Sequence, residues 1–252
     1  MYQTTINGQL FLLMLIEDLE LAGFKVYSAN TDGVVAKVHI GREEEYKAIC
    51  TAWEEETGFT LSYTNYAKYV RLGVNSYMAL KDDGKVKTKN DFTEDLGLSK
   101  GYFAPVIARA INNYFLFDKD IDETLKEETN IYDFCISQKT GKQFYNIYQY
   151  IKDGQIVRER LQKNIRYYVT TDSSSIVKQY KETEGKNANR IISLVAKYNT
   201  KLFNDFVRKD SILDYHINYN YYKMLCYEKI HLISGVVYNK MRKETGKLFD
   251  DI

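Results

Sequence analysis

The residues best suited to chemistry lie in a short turn-forming segment near the amino terminus. Residues 24–38, FKVYSANTDGVVAKV, form two β-prone runs separated by Asn30, Thr31, Asp32 and Gly33. Since these residue types favour tight bends, the sequence predicts a β-hairpin with Asp32 at its turn. A carboxylate at an exposed bend can bind Mg²⁺, which prefers hard oxygen ligands. Ordinary turn formation explains the same tetrapeptide, and the four residues alone favour that explanation.

A second candidate is a lysine-rich hairpin at residues 74–92, VNSYMALKDDGKVKTKNDF. Lys85, Lys87 and Lys89 alternate along the chain, so on a strand they share one face. Ammonium groups at that spacing can follow successive phosphates of a nucleic-acid strand. Tyr77, across the hairpin, could pack beside a sugar or base. The alternative is an edge strand that its lysines protect from aggregation, and the segment does not decide between the two.

A third candidate interleaves basic and aromatic side chains at residues 158–172. Its members are Arg158, Arg160, Lys163, Arg166, Tyr167 and Tyr168. Such a surface can follow a nucleic-acid backbone and offer rings for stacking. Packing in a core is the more frequent role of paired tyrosines, and it is the alternative for these two.

The charge distribution supports a polyanion as partner of the second half of the chain. Residues 1–60 carry four Lys/Arg against ten Asp/Glu, a balance of −6, whereas residues 139–201 carry thirteen against five, a balance of +8. A basic segment of this kind suggests nucleic acid or another polyanion. A solvated charged surface is the plainer explanation of the charge alone.

The composition predicts a globular protein and narrows the classes of site. Hydrophobic residues make up 44% and charged residues 27% of 252 residues, enough for one large core or two smaller ones. Cys50, Cys135 and Cys226 are widely spaced, which suggests reduced thiols and a cytoplasmic location. With three histidines and no CxxC motif, a zinc site is improbable. No run is long enough to cross a bilayer, so no membrane partner is expected.

Hydrophobic periodicity predicts an alternation of helices and hairpins. Helices are predicted at residues 6–23, 41–58, 103–115 and 217–233, the first with Asn7 as its cap. Strands are predicted at residues 24–29, 34–40, 59–63, 68–81 and 85–89. A basic antiparallel sheet is predicted at residues 144–181. A change of character near residues 92–100 predicts a domain boundary.

Taken in order, these segments resemble the C-terminal part of family B DNA polymerases, in particular those of bacteriophages. YSANTDG looks like motif C, whose usual form is Tyr-x-Asp-Thr-Asp-Ser. Thr31 and Asp32 match, while Asn30 replaces the first Asp and Gly33 replaces Ser; Tyr27 lies one residue further upstream than the family's Tyr. The second Asp is the family's principal metal ligand, and the resemblance assigns that role to Asp32.

The segments that follow resemble later parts of the same family. Residues 74–92 are similar to the Lys-x-Tyr segment that grips the primer terminus; Tyr77 matches, and Asn75 stands where Lys is common. The resemblance implies that Lys85, Lys87 and Lys89 supply some of that charge. Residues 161–180 and 217–230 are similar to thumb and C-terminal segments.

Motif A, which holds the first catalytic Asp, and motif B, which holds the nucleotide-binding Lys, lie upstream of motif C in the family and have no match here. The resemblance therefore implies half of an active site. We expect a separately encoded N-terminal polymerase portion to complete it, and the isolated chain to be inactive.

The resemblance implies an α+β fold: the C-terminal part of a palm at residues 1–98, a helix-backed antiparallel sheet with a catalytic hairpin, followed by a mixed thumb at 99–252. The implied cofactor is Mg²⁺ in a two-ion site, to which this chain contributes one ligand, Asp32. The implied substrates are primer–template DNA and a dNTP. The implied DNA contacts are Tyr77, Lys85, Lys87, Lys89, Lys163, Arg166 and Tyr167. The alternatives are a non-catalytic duplex-binding relic or accessory module and, less well suited to the basic second half, another palm-type nucleotidyl transferase or cyclase.

Overall fold

The protein has a mixed α+β fold with several antiparallel sheets, seen in a computed structural model. The structure describes residues 2–94, 103–182, 185, 187–188, 190–204, 209 and 211–235. Its contacts divide the chain into two units, Met1–Lys87 and Thr88–Ile252. The boundary predicted between residues 98 and 99 lies outside the described residues.

The helices of the described chain are α1 (Tyr2–Leu21), α2 (Glu43–Thr57), α3 (Pro105–Phe117), α4 (Ile121–Glu127) and α5 (Tyr219–Ser234). The strands are β1 (Lys25–Ala29), β2 (Val34–Lys37), β3 (Tyr66–Gly73), β4 (Ser76–Lys81), β5 (Val86–Lys89), β6 (Ile136–Lys139), β7 (Phe144–Lys152), β8 (Gln155–Leu161), β9 (Asn164–Thr170), β10 (Ser174–Tyr180), β11 (Ile191–Ser193) and β12 (Asn199–Leu202). Short 3-10 helices cover Asn90–Phe92, Ile131–Phe134 and Ile212–Tyr215. Within these described residues, no helix has both the length and the apolarity needed to cross a bilayer.

The first unit begins with a helix, a hairpin and a second helix, as the periodicity predicts. A two-stranded sheet is only marginally stable by itself, and here the β1–β2 hairpin packs against α1 and α2. The buried residues of this core are Leu15, Leu19, Phe24, Cys50 and Trp53. The indole of Trp53 donates a hydrogen bond of 2.7 Å to the carbonyl of Phe11, which ties α2 to α1.

Glycines end both helices where the sequence predicts. Gly23 (φ 82°) and Gly58 (φ 72°) adopt the left-handed conformation that glycine tolerates without steric cost. The predicted cap at Asn7 is wrong, because α1 begins at Tyr2 and Asn7 lies inside it.

The strand predicted at residues 59–63 is also wrong. Phe59 packs against the rings of Trp53 and Phe11, at centroid distances of 6.3 and 5.7 Å. The amide of Leu61 donates to the carboxylate of Glu54 on α2, so a side chain takes the place of a partner strand. The apolar run at 68–81 is a hairpin, β3–β4, within a sheet of order β3-β4-β5.

In the second unit, three helices pack on one another, and a tyrosine of α5 contacts a strand. The described contacts pair α3 with α4 and α5, and α4 with α5. Tyr222 on α5 is fully buried; its hydroxyl donates to the carbonyl of Phe134 (2.8 Å) and accepts from the amide of Val169 on β9 (2.9 Å). This hydroxyl therefore joins the helical layer to a strand.

The predicted basic sheet at residues 144–181 is split between two sheets, of order β11-β10-β7-β8 and β12-β9-β6. The chain leaves β8 through Gln162 and Lys163, and β9 then pairs with β6 and β12 instead of β8. Ile165 and Tyr167 of β9 pack with Ile176 of β10 in a core between the sheets. The sequence shows the alternation of each strand but not this choice of partner.

Asp172, Lys201 and His216 form a charged cluster beside these sheets. Asp172, after β9, contacts Nδ1 of His216 at 2.6 Å and forms an ion pair with Lys201 on β12. Burial acts to raise the pKa of Asp172, but the hydrogen bonds from Lys201 and His216 outweigh it, so the pKa lies below its usual value. The carboxylate thus holds together three separate segments.

Removal of a buried leucine from α1 should destabilise the first unit strongly. Leu19→Ala deletes a side chain of 0% exposure, and we expect a loss of about 2–5 kcal/mol in the free energy of unfolding. Urea denaturation followed through Trp53, the single tryptophan, measures it. Leu13→Ala, on the same helix at 47% exposure, should cost less than about 1 kcal/mol; equal losses would contradict this account of the core.

Neutralisation of Asp172 should weaken the second unit in a pH-dependent manner. Because its folded-state pKa is lowered, its contribution is complete above the unfolded-state value of about 4 and is lost as the pH falls through the folded-state value. We expect Asp172→Asn to cost about 1–2 kcal/mol at pH 7, with the difference from the parent chain shrinking towards pH 3. Urea titrations at several pH values test this, with the exposed Asp214→Asn as control. A difference constant with pH would contradict it.

Candidate functional site

The bend between β1 and β2 is built by the side chain of Asn30. The amide of Asn30 donates to the carbonyl of Gly33 (2.9 Å), and the amide of Asp32 donates to Oδ1 of Asn30 (3.1 Å). This side-chain turn is a recurrent role of Asn and fixes the backbone under Asp32. Asn30 therefore performs a structural task at the position where the polymerase motif has its first Asp.

Asp32 is exposed to solvent at the tip of this hairpin. Oγ1 of Thr31 lies 3.5 Å from Oδ1 of Asp32, so two hard oxygens lie side by side. Carboxylate and hydroxyl oxygens are ligands that Mg²⁺ accepts, and the rest of its coordination shell usually comes from water and phosphate. These two side chains fit part of such a shell. Within the described parts of the chain, no group of three His, Cys, Asp or Glu residues could hold a metal ion.

A β-bulge at Tyr27 interrupts the regular pairing of the β1–β2 hairpin. The pairing runs from Val26↔Ala36 to Ser28↔Val35, so Tyr27 is the extra residue. Tyr27 is 38% exposed, with Nζ of Lys25 5.2 Å from its ring centroid. Ser28 is buried instead.

The structure brings Tyr77 and Lys87 together. Nζ of Lys87 lies 5.9 Å from the Tyr77 ring centroid, and Tyr77 also packs against Tyr69 at 5.5 Å. The interaction with the Tyr77 hydroxyl raises the pKa of Lys87, which keeps the ammonium charged. Lys85 precedes β5 and lies 3.2 Å from Asp83, while Lys89 ends β5 in the second unit. Asn75 lies in the turn between β3 and β4.

The third candidate surface is dispersed by the fold. Tyr167 is 4% exposed and belongs to the core between the sheets, and burial raises its pKa. Arg166, the preceding residue, points to the other side of β9 and lies 5.1 Å from the Tyr132 ring. Lys163 lies in the exposed turn between β8 and β9. The three side chains do not form one surface, and packing is the role that the structure gives Tyr167.

Sequence reasoning missed Tyr145 and Lys181, which form a basic cleft with Arg160 and Lys163. Tyr145 is on β7, Arg160 is on β8 and Lys181 follows β10. Strand pairing brings them together, and no spacing within a single segment signals it. Basic residues are frequent throughout this half, so their number alone does not single out these side chains.

Comparison with known proteins gives no family assignment. No protein family model matches the chain. A search of curated proteins gives no significant match.

The bend should depend on the acceptor oxygen of Asn30. Asn30→Ala removes the acceptor for the Asp32 amide, and we expect greater picosecond-to-nanosecond motion there, seen as a lower ¹⁵N order parameter at Asp32. Asn30→Asp keeps an acceptor at the same place and should preserve the order parameter. Equal values in Asn30→Ala and the parent chain would show that the bend does not need this hydrogen bond.

Proposed function

We propose that this chain is the C-terminal part of a DNA-directed DNA polymerase that adds nucleotides to a primer on a template. The observation that carries the proposal is the exposed Asp32 on a bend whose hairpin is covered on its other side by α1 and α2. A buried core beneath an exposed carboxylate gives a fixed position for a metal ligand. The resemblance of residues 27–33 to motif C supports the same assignment.

Asp32 supplies one carboxylate ligand to a two-ion Mg²⁺ site, beside the hydroxyl of Thr31. When bound, Mg²⁺ favours the deprotonated primer 3′-hydroxyl and neutralises charge on the dNTP phosphates. In the reaction the 3′-hydroxyl gives its proton to water and its oxygen forms a bond to the α-phosphorus, while the bond from that phosphorus to the oxygen bridging to the β-phosphate breaks. Pyrophosphate leaves with the electron pair. Asn30 positions Asp32 for this task through the bend.

The rest of the active site belongs to a polymerase portion that carries motifs A and B. The described residues contain no group of three His, Cys, Asp or Glu side chains that could hold a metal ion, so further ligands of a two-ion site would come from that portion. Lys87 and Tyr77 provide a cation and a ring for the primer–template backbone. The chain by itself is therefore expected to hold DNA without extending it.

Primer extension by a mixture of this chain and the N-terminal portion tests the role of Asp32. We expect Asp32→Ala to lower the extension rate by about 100-fold or more, since a metal's charge stabilisation is worth several kcal/mol. Asp18→Ala, another exposed carboxylate of the first unit, should leave the rate unchanged. Unchanged activity in Asp32→Ala would remove it from the site, and extension by the isolated chain would refute the claim that its site is incomplete.

A non-catalytic duplex-binding module is the second candidate. It is favoured by the single carboxylate at the bend and by the basic cleft of the second unit. In that case DNA binding would weaken steeply with salt, and Asp32→Ala would leave every function intact. The extension assay thus separates the two functions.

A further inference from the structure

One face of the sheet that contains β7, β8 and β10 presents cations without carboxylates. Tyr148 and Ile176 face the core, whereas alternation along β7 places Tyr145 on the opposite face. Arg160 pairs with Ile147 and so lies on the face of Tyr145. The carboxylate of Glu159, one residue earlier, lies on the core side and accepts a hydrogen bond from Tyr150.

Two cations lie close to the ring of Tyr145. The guanidinium carbon of Arg160 lies 3.6 Å from the ring centroid, and Nζ of Lys181 lies 4.9 Å from it. Stacking of a guanidinium on an aromatic face fixes its plane and leaves its N–H edge available for an acceptor. No acceptor for that edge is found within the described part of the chain.

These side chains border a cleft of about 200 Å³, with Lys163 as a third cation. Three of its lining residues are joined by hydrogen bonds: Oγ1 of the buried Thr140 donates to Oδ1 of Asn146 (2.6 Å), and Nδ2 of Asn146 donates to the carbonyl of Gln162 (2.9 Å). The volume equals about seven water molecules at ~30 Å³ each, which is enough for one phosphate group and some of its hydration.

The three charges repel one another, and among the described residues no carboxylate pairs with them. Lys181 donates to the carbonyl of Lys142, which is uncharged, and Lys163 has no ion pair in the described chain. An anion in the cleft would relieve this repulsion. A fixed guanidinium fork with two ammonium groups is suited to the several oxygens of a phosphate.

We propose that this cleft binds a backbone phosphate of duplex DNA through Arg160, Lys163 and Lys181, with Tyr145 as the platform that orients Arg160. The choice of DNA as the source of the phosphate rests on the proposed function. The cleft itself rests on the stacking distances and on the unpaired charges. It gives the second unit a defined contact point on the backbone, in place of the dispersed Arg166 and Tyr167.

Fluorescence anisotropy with a labelled 20-base-pair duplex tests the cleft, in EDTA and without dNTP or partner. We expect Arg160→Gln and Lys181→Gln each to weaken binding about 10-fold, and to lower the slope of log K against log salt by about 1. Arg158→Gln is the matched control, because it removes the same charge from the same face of β8 outside the cleft. It should change the affinity less than about 3-fold, and circular dichroism checks that each variant folds.

Three outcomes would overturn the proposal. Equal effects of Arg158→Gln and Arg160→Gln would show a diffuse basic surface, and unchanged duplex affinity in Arg160→Gln would exclude the cleft as a DNA contact. If inorganic phosphate bound in the cleft but did not displace the labelled duplex, the cleft would be a free-phosphate site instead. Intact duplex binding with no primer extension in the reconstituted mixture would count against the proposed function alone.

Discussion

Burial of a single face is the constraint on which both candidate sites depend. The β1–β2 hairpin packs Val26 and Val34 against the helices, so its bend and its other face remain in water. The sheet of β7, β8 and β10 packs Tyr148 and Ile176 into a core, so Tyr145 and Arg160 lie outside it. Because side chains alternate along a strand and paired residues share a face, Tyr145 and Arg160 lie on the face opposite Tyr148 and Ile176.

The two sites differ in what fixes their side chains. At the bend, one hydrogen bond from the Asp32 amide to Asn30 positions a carboxylate that is otherwise free in water. At the cleft, a ring contact of 3.6 Å orients Arg160, and hydrogen bonds join Asn146 to the lining residues Thr140 and Gln162. A metal ligand can complete its shell with water, whereas a phosphate site needs several donors placed in advance. The bend accordingly positions one carboxylate, whereas the cleft places three cations.

The sequence predicted local elements well where one residue type decides the backbone. Gly23 and Gly58 end helices at the expected places, and Asn30 to Gly33 form the expected bend. It failed where a distant contact decides. The pattern of residues 59–63 predicts a strand, but Trp53 and Glu54 hold Phe59 and Leu61 beside α2. The basic strands read as one sheet, but the choice of β6 as partner of β9 divides them.

By itself, the sequence determined Asp32 as the carboxylate of a tight bend, because Asn, Asp and Gly set the turn within four residues. It also determined the excess of positive charge in the second half. Only the tertiary structure decided which of those charges lie together. Tyr145, Arg160 and Lys181 come from three strands or their ends, and their contact depends on pairing register, which no local spacing encodes. Packing of β9 against β10 buries Tyr167, which the sequence left open as a surface ring.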